Sequence, residues 1–216
     1  MLKNNTNTWL TLLTFVFLLA VVFIIFTLAS RTLEPIVTQR DGMSSLTEPT
    51  ITIIDPARGA TEPSVIIVEF GDYACSACKS LDIALSQLLL RYPNEVRVVW
   101  KDAPNESLHP ESLSASIAGR CADKQDQFWT YHDELFLRGE LNKDVYLAIA
   151  EDLELDKDEF IQCLDDENPL PRIQKTLEEV EALNMTATPT IFIGEERWVG
   201  ALSLEELQTI VEDRLK

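Results

Sequence analysis

The sequence predicts an α/β domain. A strand–helix–strand unit and a later strand–strand–helix unit frame a long helical stretch, and one apolar segment precedes the whole. Three observations carry this reading. The run VIIVEF at 65–70 is apolar and of strand length, as a strand buried on both faces is. It leads directly into GDYACSAC and a helix-periodic stretch, so a Cys-x-x-Cys pair sits where a strand hands over to a helix. Residues 110–184 then break into helical patterns without a convincing strand, before TIFIG and RWVG close the sheet near the C-terminus.

The elements follow in chain order. Residues 9–29, WLTLLTFVFLLAVVFIIFTLA, carry no charge. A helix of that length spans a bilayer core of about 30 Å, and the run is longer than the roughly 7–15 apolar residues of a secretory signal. A buried core helix would need a polar face, which the run lacks. Residues 9–30 therefore read as an uncleaved transmembrane signal anchor behind a short cytoplasmic tail (1–8), with cleavage after Ala29 as the alternative. Lys3 on one side and Arg31 and Arg40 on the other differ too little for the charge rule to fix orientation. Residues 31–50 mix Ser, Thr, Pro and charges without periodicity and read as a linker.

ITIID (51–55) is β-branched and reads as a short edge strand, and PARGATEPS after it as a loop. Past VIIVEF, the leucines at 81, 85, 88 and 89 form one helical stripe over 76–91, and EVRVVW (95–100) is a second buried strand. Such a βαβ unit makes its two strands parallel. Helical patterns follow at 110–123, 125–138, 143–153, 156–165 and 169–184, with Asn142 and Asp156 as N-caps. TIFIG (190–194) and RWVG (197–200) are short strands joined at Glu195-Glu196. The final helix, 203–215, opens with Ser203 and Glu206 as a capping box.

Charge narrows the function. Asp and Glu number 36 against 18 Lys and Arg, a net charge of −18. A polyanionic partner such as nucleic acid, or an anionic membrane surface, is disfavoured by that balance. The acidity describes a soluble, self-repelling surface.

The cysteine pair carries the chemistry. Cys75 falls at a helix N-terminus, where free N–H groups and the helix dipole stabilise a thiolate and lower its pKa. Cys78, one turn further in, is more buried and suited to resolve a mixed disulfide formed at Cys75. Two structural readings compete. A zinc site needs four ligands, but Cys121 and Cys163 stand alone and His109 and His132 are not at paired spacing. A purely structural Cys75–Cys78 bridge closes too small a loop to stabilise much. Far downstream, TATPT (186–190) places Pro189 immediately before a strand.

Taken together, VEFGDYACSAC and TATPT resemble the DsbA-like thiol:disulfide oxidoreductases, which have a thioredoxin-like fold with an inserted all-helical subdomain. The resemblance covers residues 50–215. It extends to HPES (109–112), RCADKQDQFWTYHDELF (120–136), FIQCLDD (160–166) and WVGALSLEEL (198–207). It implies a thioredoxin-like domain over 51–102 and 186–216 with a helical insertion over 103–185. It implies Cys75 as nucleophile and Cys78 as its buried partner, and Thr188 with a cis Pro189 as the platform on which a substrate strand pairs. Glu69 would be a buried acid that exchanges a proton with Cys78. The alternative for Glu69 is a strand residue paired with a nearby base such as Lys101. The dipeptide between the cysteines departs from the strongly oxidising relatives, because Ser76-Ala77 brings no positive charge to the thiolate. That suggests a milder oxidant.

Cys121 and Cys163 fall on two helices of the insertion. In an oxidising compartment they would staple it, an arrangement similar to that of some family members; two buried free thiols are the alternative. A disulfide here places the domain on the extracytoplasmic side. Phe128 and Trp129 read as insertion core, and His132 and His109 as structural. The resulting expectation is a monomeric, membrane-anchored enzyme. It would introduce disulfides into reduced exported proteins and be reoxidised by a quinone-linked membrane oxidase of the DsbB or VKOR type. A reductase or isomerase of the cell envelope, and a non-enzymatic metallochaperone or holdase, are the alternatives. No metal, cofactor or nucleic acid is expected. Asn184-Met-Thr lies so near the proline loop that a glycan there would block the active face, which favours a bacterial envelope.

Overall fold

The computed structural model describes residues 5–32 and 46–216, with the backbone alone at 5–8, 10, 11 and 28–32. Two compact units divide at Met43/Ser44. In the first, helix α1 runs over Asn5–Thr32. Among the described residues no helix is long and apolar enough to cross a membrane. Residues 33–45 of the expected linker, and 1–4 of the expected tail, lie outside the described residues.

The second unit is built on a five-stranded sheet in the order β1-β3-β2-β4-β5. Its strands are β1 (Ala57–Gly59), β2 (Val65–Gly71), β3 (Val96–Asp102), β4 (Thr190–Ile193) and β5 (Glu196–Val199). Only β2 and β3 are parallel, as the βαβ reading requires; every other pair is antiparallel. Helix α2 (Ser76–Arg91) is the crossover. Its stripe of Leu81, Leu85 and Leu88 is fully buried with Val65, Ile67, Val96 and Val98, and α8 (Leu204–Arg214) joins the same layer through Leu207 and Val211. The opposite face buries Val68, Phe70, Val99 and Phe192 against Val180 of α7 (Leu170–Ala182). This two-faced burial follows from the pleat, which sends successive side chains to opposite sides.

Between β3 and β4 come α3 (Ser112–Asp123), α4 (Phe128–Arg138), α5 (Lys143–Asp152), α6 (Lys157–Asp165) and α7. The caps are those the sequence signals. Asn142 accepts from Val145 N–H and Asp156 from Glu159 N–H, and the Ser203–Glu206 capping box is complete. Helix α4 stops at Gly139, whose φ of 70° is a left-handed cap that glycine adopts without a Cβ clash. Phe128, Tyr131, Leu135, Phe136, Ile149 and Phe160 make the core of this subdomain, with Trp129 packed on it. The subdomain is fastened to the sheet by a buried ion pair, Arg120 Nε to Asp102 Oδ2 at 2.5 Å, while Asp102 Oδ1 accepts from Trp100 Nε1 at 2.8 Å.

One strand lies elsewhere than the sequence suggests. Residues 51–55 form a turn, and the edge strand is Ala57–Gly59, inside the segment read as a loop. Asp55 is the reason: its carboxylate accepts from both the backbone N–H and the hydroxyl of Thr52 at 2.8 Å, a local bond that competes with strand pairing. Ile53 is left wholly exposed. The last residues of the expected linker are also tied down, Leu46 N–H to the Ala182 carbonyl and Thr50 N–H to Glu179.

Candidate active site

The site forms where β2 ends and α2 begins. Gly71 closes β2 under the Trp100 indole, and a Cβ there would lie 2.3 Å from the ring. The next residue, Asp72, is fully buried and shapes the loop. Its carboxylate accepts from Ala74 N–H at 2.9 Å and from Asn105 N–H at 3.1 Å, and its carbonyl accepts from Cys75 N–H. Asp72 was not singled out in the sequence, although an Asp two residues before a turn N–H is a recognised loop signal.

Cys75 is the N-cap of α2, half-buried, with its sulfur accepting from Cys78 N–H at 3.3 Å. The Cys75 thiol also faces the Thr188 carbonyl oxygen at 3.4 Å. The Thr188–Pro189 peptide is cis. Its loop is held by Thr190 Oγ1 donating to the Ala187 carbonyl at 2.7 Å and by Gly200 N–H donating to the Pro189 carbonyl at 2.8 Å. Four residues predicted from sequence, Cys75, Cys78, Thr188 and Pro189, thus meet at one place. Cys78 is fully buried.

The two thiols are held in opposite states. The hydrogen bond from the Cys78 thiol, and then those from helix N–H groups, outweigh burial and bring Cys75 from 9.0 down to about 5. Burial pushes Cys78 far up, helped by its bond to Cys75 and by the negative charge of Glu69. At neutral pH Cys75 is a thiolate and Cys78 a thiol, the division that dithiol exchange requires.

Glu69 is 1% exposed, and its Oε1 has no hydrogen-bond partner. Burial, then the nearby charge of Asp82, raises its carboxyl well above the ordinary range. The pairing with Lys101 does not occur. Glu69 stands opposite Trp100 in the β2–β3 register and Lys101 opposite Phe70, so the two project to opposite faces of the sheet. Lys101 instead bridges Asp55 and Glu179, each at 3.1 Å.

A second polar cluster lies on the Glu69 face. Arg58 of β1 donates to Asp82 of α2 at 2.5 Å and to Asp133 at 2.8 Å. His132, fully buried, contacts Asp82 through Nε2 at 3.3 Å and Tyr73 Oη through Nδ1 at 2.9 Å. Burial keeps the imidazole neutral. An ionised Asp82 only accepts, so Nε2 carries the proton and Nδ1 accepts from the Tyr73 hydroxyl. Asp82, His132 and Asp133 bring ligand atoms within 4.8 Å of one another, but Arg58 already supplies the positive charge between the two carboxylates. None of these contacts was legible in the sequence, because they join β1, α2 and α4. Away from the site, Cys121 and Cys163 are joined by a disulfide that links α3 to α6.

The geometry matches known proteins. A family model described as Thioredoxin matches residues 52–213, and the chain belongs to that family. Its fold is that of the DsbA-like thiol:disulfide oxidoreductases. Among solved structures it is similar to the thiol-disulfide exchange protein α-DsbA2 of Wolbachia pipientis. That pair shares 26% identity at a TM-score of 0.67, covering 74% of this chain and 87% of the other. The catalytic domain of Proteus mirabilis ScsC shares 29% identity at a TM-score of 0.66, covering 76% and 90%. BdbD of Bacillus subtilis, at 21% identity and a TM-score of 0.68 over 75% and 93%, shares the fold. Among curated proteins the chain is 34% identical over 145 residues to the Na(+)/H(+) antiporter NhaA 1 of Salinispora arenicola. The match takes in 67% of this chain but 22% of the antiporter, so the chain spans about a fifth of that relative.

Proposed function

We propose that this chain is a membrane-anchored, extracytoplasmic oxidase that passes the Cys75–Cys78 disulfide to reduced exported proteins. A substrate thiolate attacks the Cys75 sulfur, the Cys75–Cys78 bond breaks, and Cys78 leaves as a thiolate that takes a proton from Glu69. A second substrate thiolate attacks the substrate sulfur of the mixed disulfide and expels Cys75 as a thiolate. The substrate loses two electrons and the enzyme gains them. A quinone-linked membrane oxidase of the DsbB or VKOR type then returns the pair to the disulfide.

The observation that carries this reading is the Cys75 sulfur at the N-cap of α2, accepting from Cys78 N–H at 3.3 Å and facing the Thr188 carbonyl, with Cys78 fully buried behind it. These contacts hold the Cys75 thiol below its ordinary value. A stabler thiolate makes the reduced form stabler and the disulfide more oxidising. The test is equilibration of the domain with glutathione redox buffers. The expected potential lies between about −120 and −220 mV, on the oxidising side of the glutathione pool, and a value well below that of glutathione overturns the oxidase direction. The uncharged Ser76-Ala77 dipeptide favours the second reading, an envelope reductase or isomerase; the lower value would select the reductase.

The anchor rests on the charge-free run at 9–29 and the continuous helix Asn5–Thr32. The Cys121–Cys163 disulfide supports an oxidising compartment. Alkaline extraction of membranes from expressing cells, followed by protease treatment of intact spheroplasts, tests both points. The chain is expected in the pellet and digested from outside; recovery in the soluble fraction contradicts the anchor.

A further inference from the structure

A cleft of about 650 Å³ opens between the turn that precedes β1, the end of α3 and the starts of α4 and α7. That volume suits a small molecule, and no residue of the exchange site lines it. Two arginines do. Arg120 is 2% exposed. Its Nε donates to Asp102 and its Nη1 to Asp123 Oδ2 at 3.4 Å, while its Nη2 has no hydrogen-bond partner. Arg172, half-buried, donates from Nη1 to the same Asp123 oxygen at 3.2 Å. Its Nε and Nη2 are buried and have no partner. Three buried donors on two neighbouring guanidiniums are therefore unsatisfied, and such donors are rare in a folded interior because each costs stability.

The chemistry of these donors defines the ligand. Nε and Nη2 form one edge of a guanidinium, the fork that grips both oxygens of a carboxylate. Burial, then the charge of Arg120, lowers the Arg172 pKa, so an anion at that edge would offset an uncompensated charge. The anion should carry one charge only. Asp55, Asp123 and Asp126 line the cleft against Arg120, Arg172 and Lys124, and a dianion such as a phosphate would meet three carboxylates. The remaining wall is apolar. It includes Phe128, Trp129 and the isoleucines at 53 and 54, which the Thr52–Asp55 turn leaves exposed at the rim. We propose that this cleft binds a small monocarboxylate with an apolar body. The carboxylate lies on the Nε–Nη2 edge of Arg172 and on Nη2 of Arg120, and the body is covered by Trp129, Ile53 and Ile54.

The test uses the full chain in detergent, with ligand-observed NMR titrations of phenylacetate, phenylacetamide, phenyl phosphate and acetate against a detergent blank. Phenylacetate is expected to bind with a dissociation constant of about 1 mM or below. Phenylacetamide, which keeps the ring but lacks the charge, and acetate, which lacks the ring, should each bind about tenfold more weakly. Arg172→Lys keeps the charge and loses the fork, and should also weaken phenylacetate about tenfold. Ile53→Ser, at a wholly exposed position that the fold does not need, should weaken it about threefold. No phenylacetate binding up to about 10 mM overturns the proposal. So does equal binding of the amide, which would make the site merely apolar, or tighter binding of phenyl phosphate, which would make it a phosphate site. Phenylacetate binding that survives both Arg172→Lys and Ile53→Ser unchanged lies elsewhere and overturns it too.

Discussion

The Cys75 sulfur lies 3.4 Å from the carbonyl oxygen of Thr188, a residue 113 positions further along the chain. That contact joins the two sequence signals, the cysteine pair and the proline loop, into one site. It also leaves the attacking sulfur beside a backbone that a second strand can reach, while Cys78 is kept from solvent behind it.

The first prediction concerns the thiolate. Alkylation of the reduced protein by iodoacetamide, followed against pH, should show a midpoint near 5 for Cys75. A depressed folded value also stabilises the reduced fold. That contribution is complete above the ordinary thiol value of 9.0 and is lost as pH falls through about 5. Urea melts of the reduced chain against the oxidised chain, from pH 4 to 9, measure it. A midpoint near 9 would contradict the site geometry.

Glu69 has the opposite sign. Its carboxyl holds a proton more tightly folded than unfolded, so it costs stability as pH rises above the ordinary value of 4.5. Glu69→Gln should therefore be more stable than the parent at neutral and alkaline pH and equal to it in acid. If Glu69 carries the Cys78 proton, the same variant should exchange about a hundredfold more slowly. A variant that is stabilised but exchanges at the parent rate would restrict Glu69 to a structural role.

His132 should matter for folding. His132→Ala removes a buried ring, strands the Tyr73 hydroxyl and takes one partner from the Asp82 carboxylate, which keeps Arg58. A cost of about 2–4 kcal/mol follows from the cavity and the unpaired Tyr73 hydroxyl. Chemical denaturation gives the value directly; a loss under 1 kcal/mol would mean that the cluster repacks.

The Cys121–Cys163 bridge closes a separation of 42 residues. Replacing both cysteines by Ala should cost roughly 3–4 kcal/mol in the chain-entropy picture. Thiol exchange at Cys75 should persist, because neither sulfur belongs to the active site.

Much of this was legible in the sequence, and what was not has physical reasons. The leucine stripe of α2, its start at Cys75 and the Ser203–Glu206 box are local patterns, and the structure places them where the periodicity and cap rules do. The edge strand was misplaced because Asp55 and Thr52 close a side-chain turn that propensity does not weigh. The Glu69–Lys101 alternative failed on register: neighbours across two strands are known only once the strands are aligned. The Arg58–Asp82–His132 cluster draws on three elements far apart in the chain, and nothing in their spacing signals it.

The central claim is that Cys75 attacks and Cys78 resolves. It is tested most directly by trapping. Cys78→Ser and Cys75→Ser are each incubated, reduced, with a glutathionylated peptide that carries a single cysteine, and adducts are read by intact mass spectrometry. The account predicts a stable mixed disulfide on Cys75 in Cys78→Ser and none on Cys78 in Cys75→Ser. Equal trapping on both sulfurs, or trapping on Cys78 alone, would contradict it.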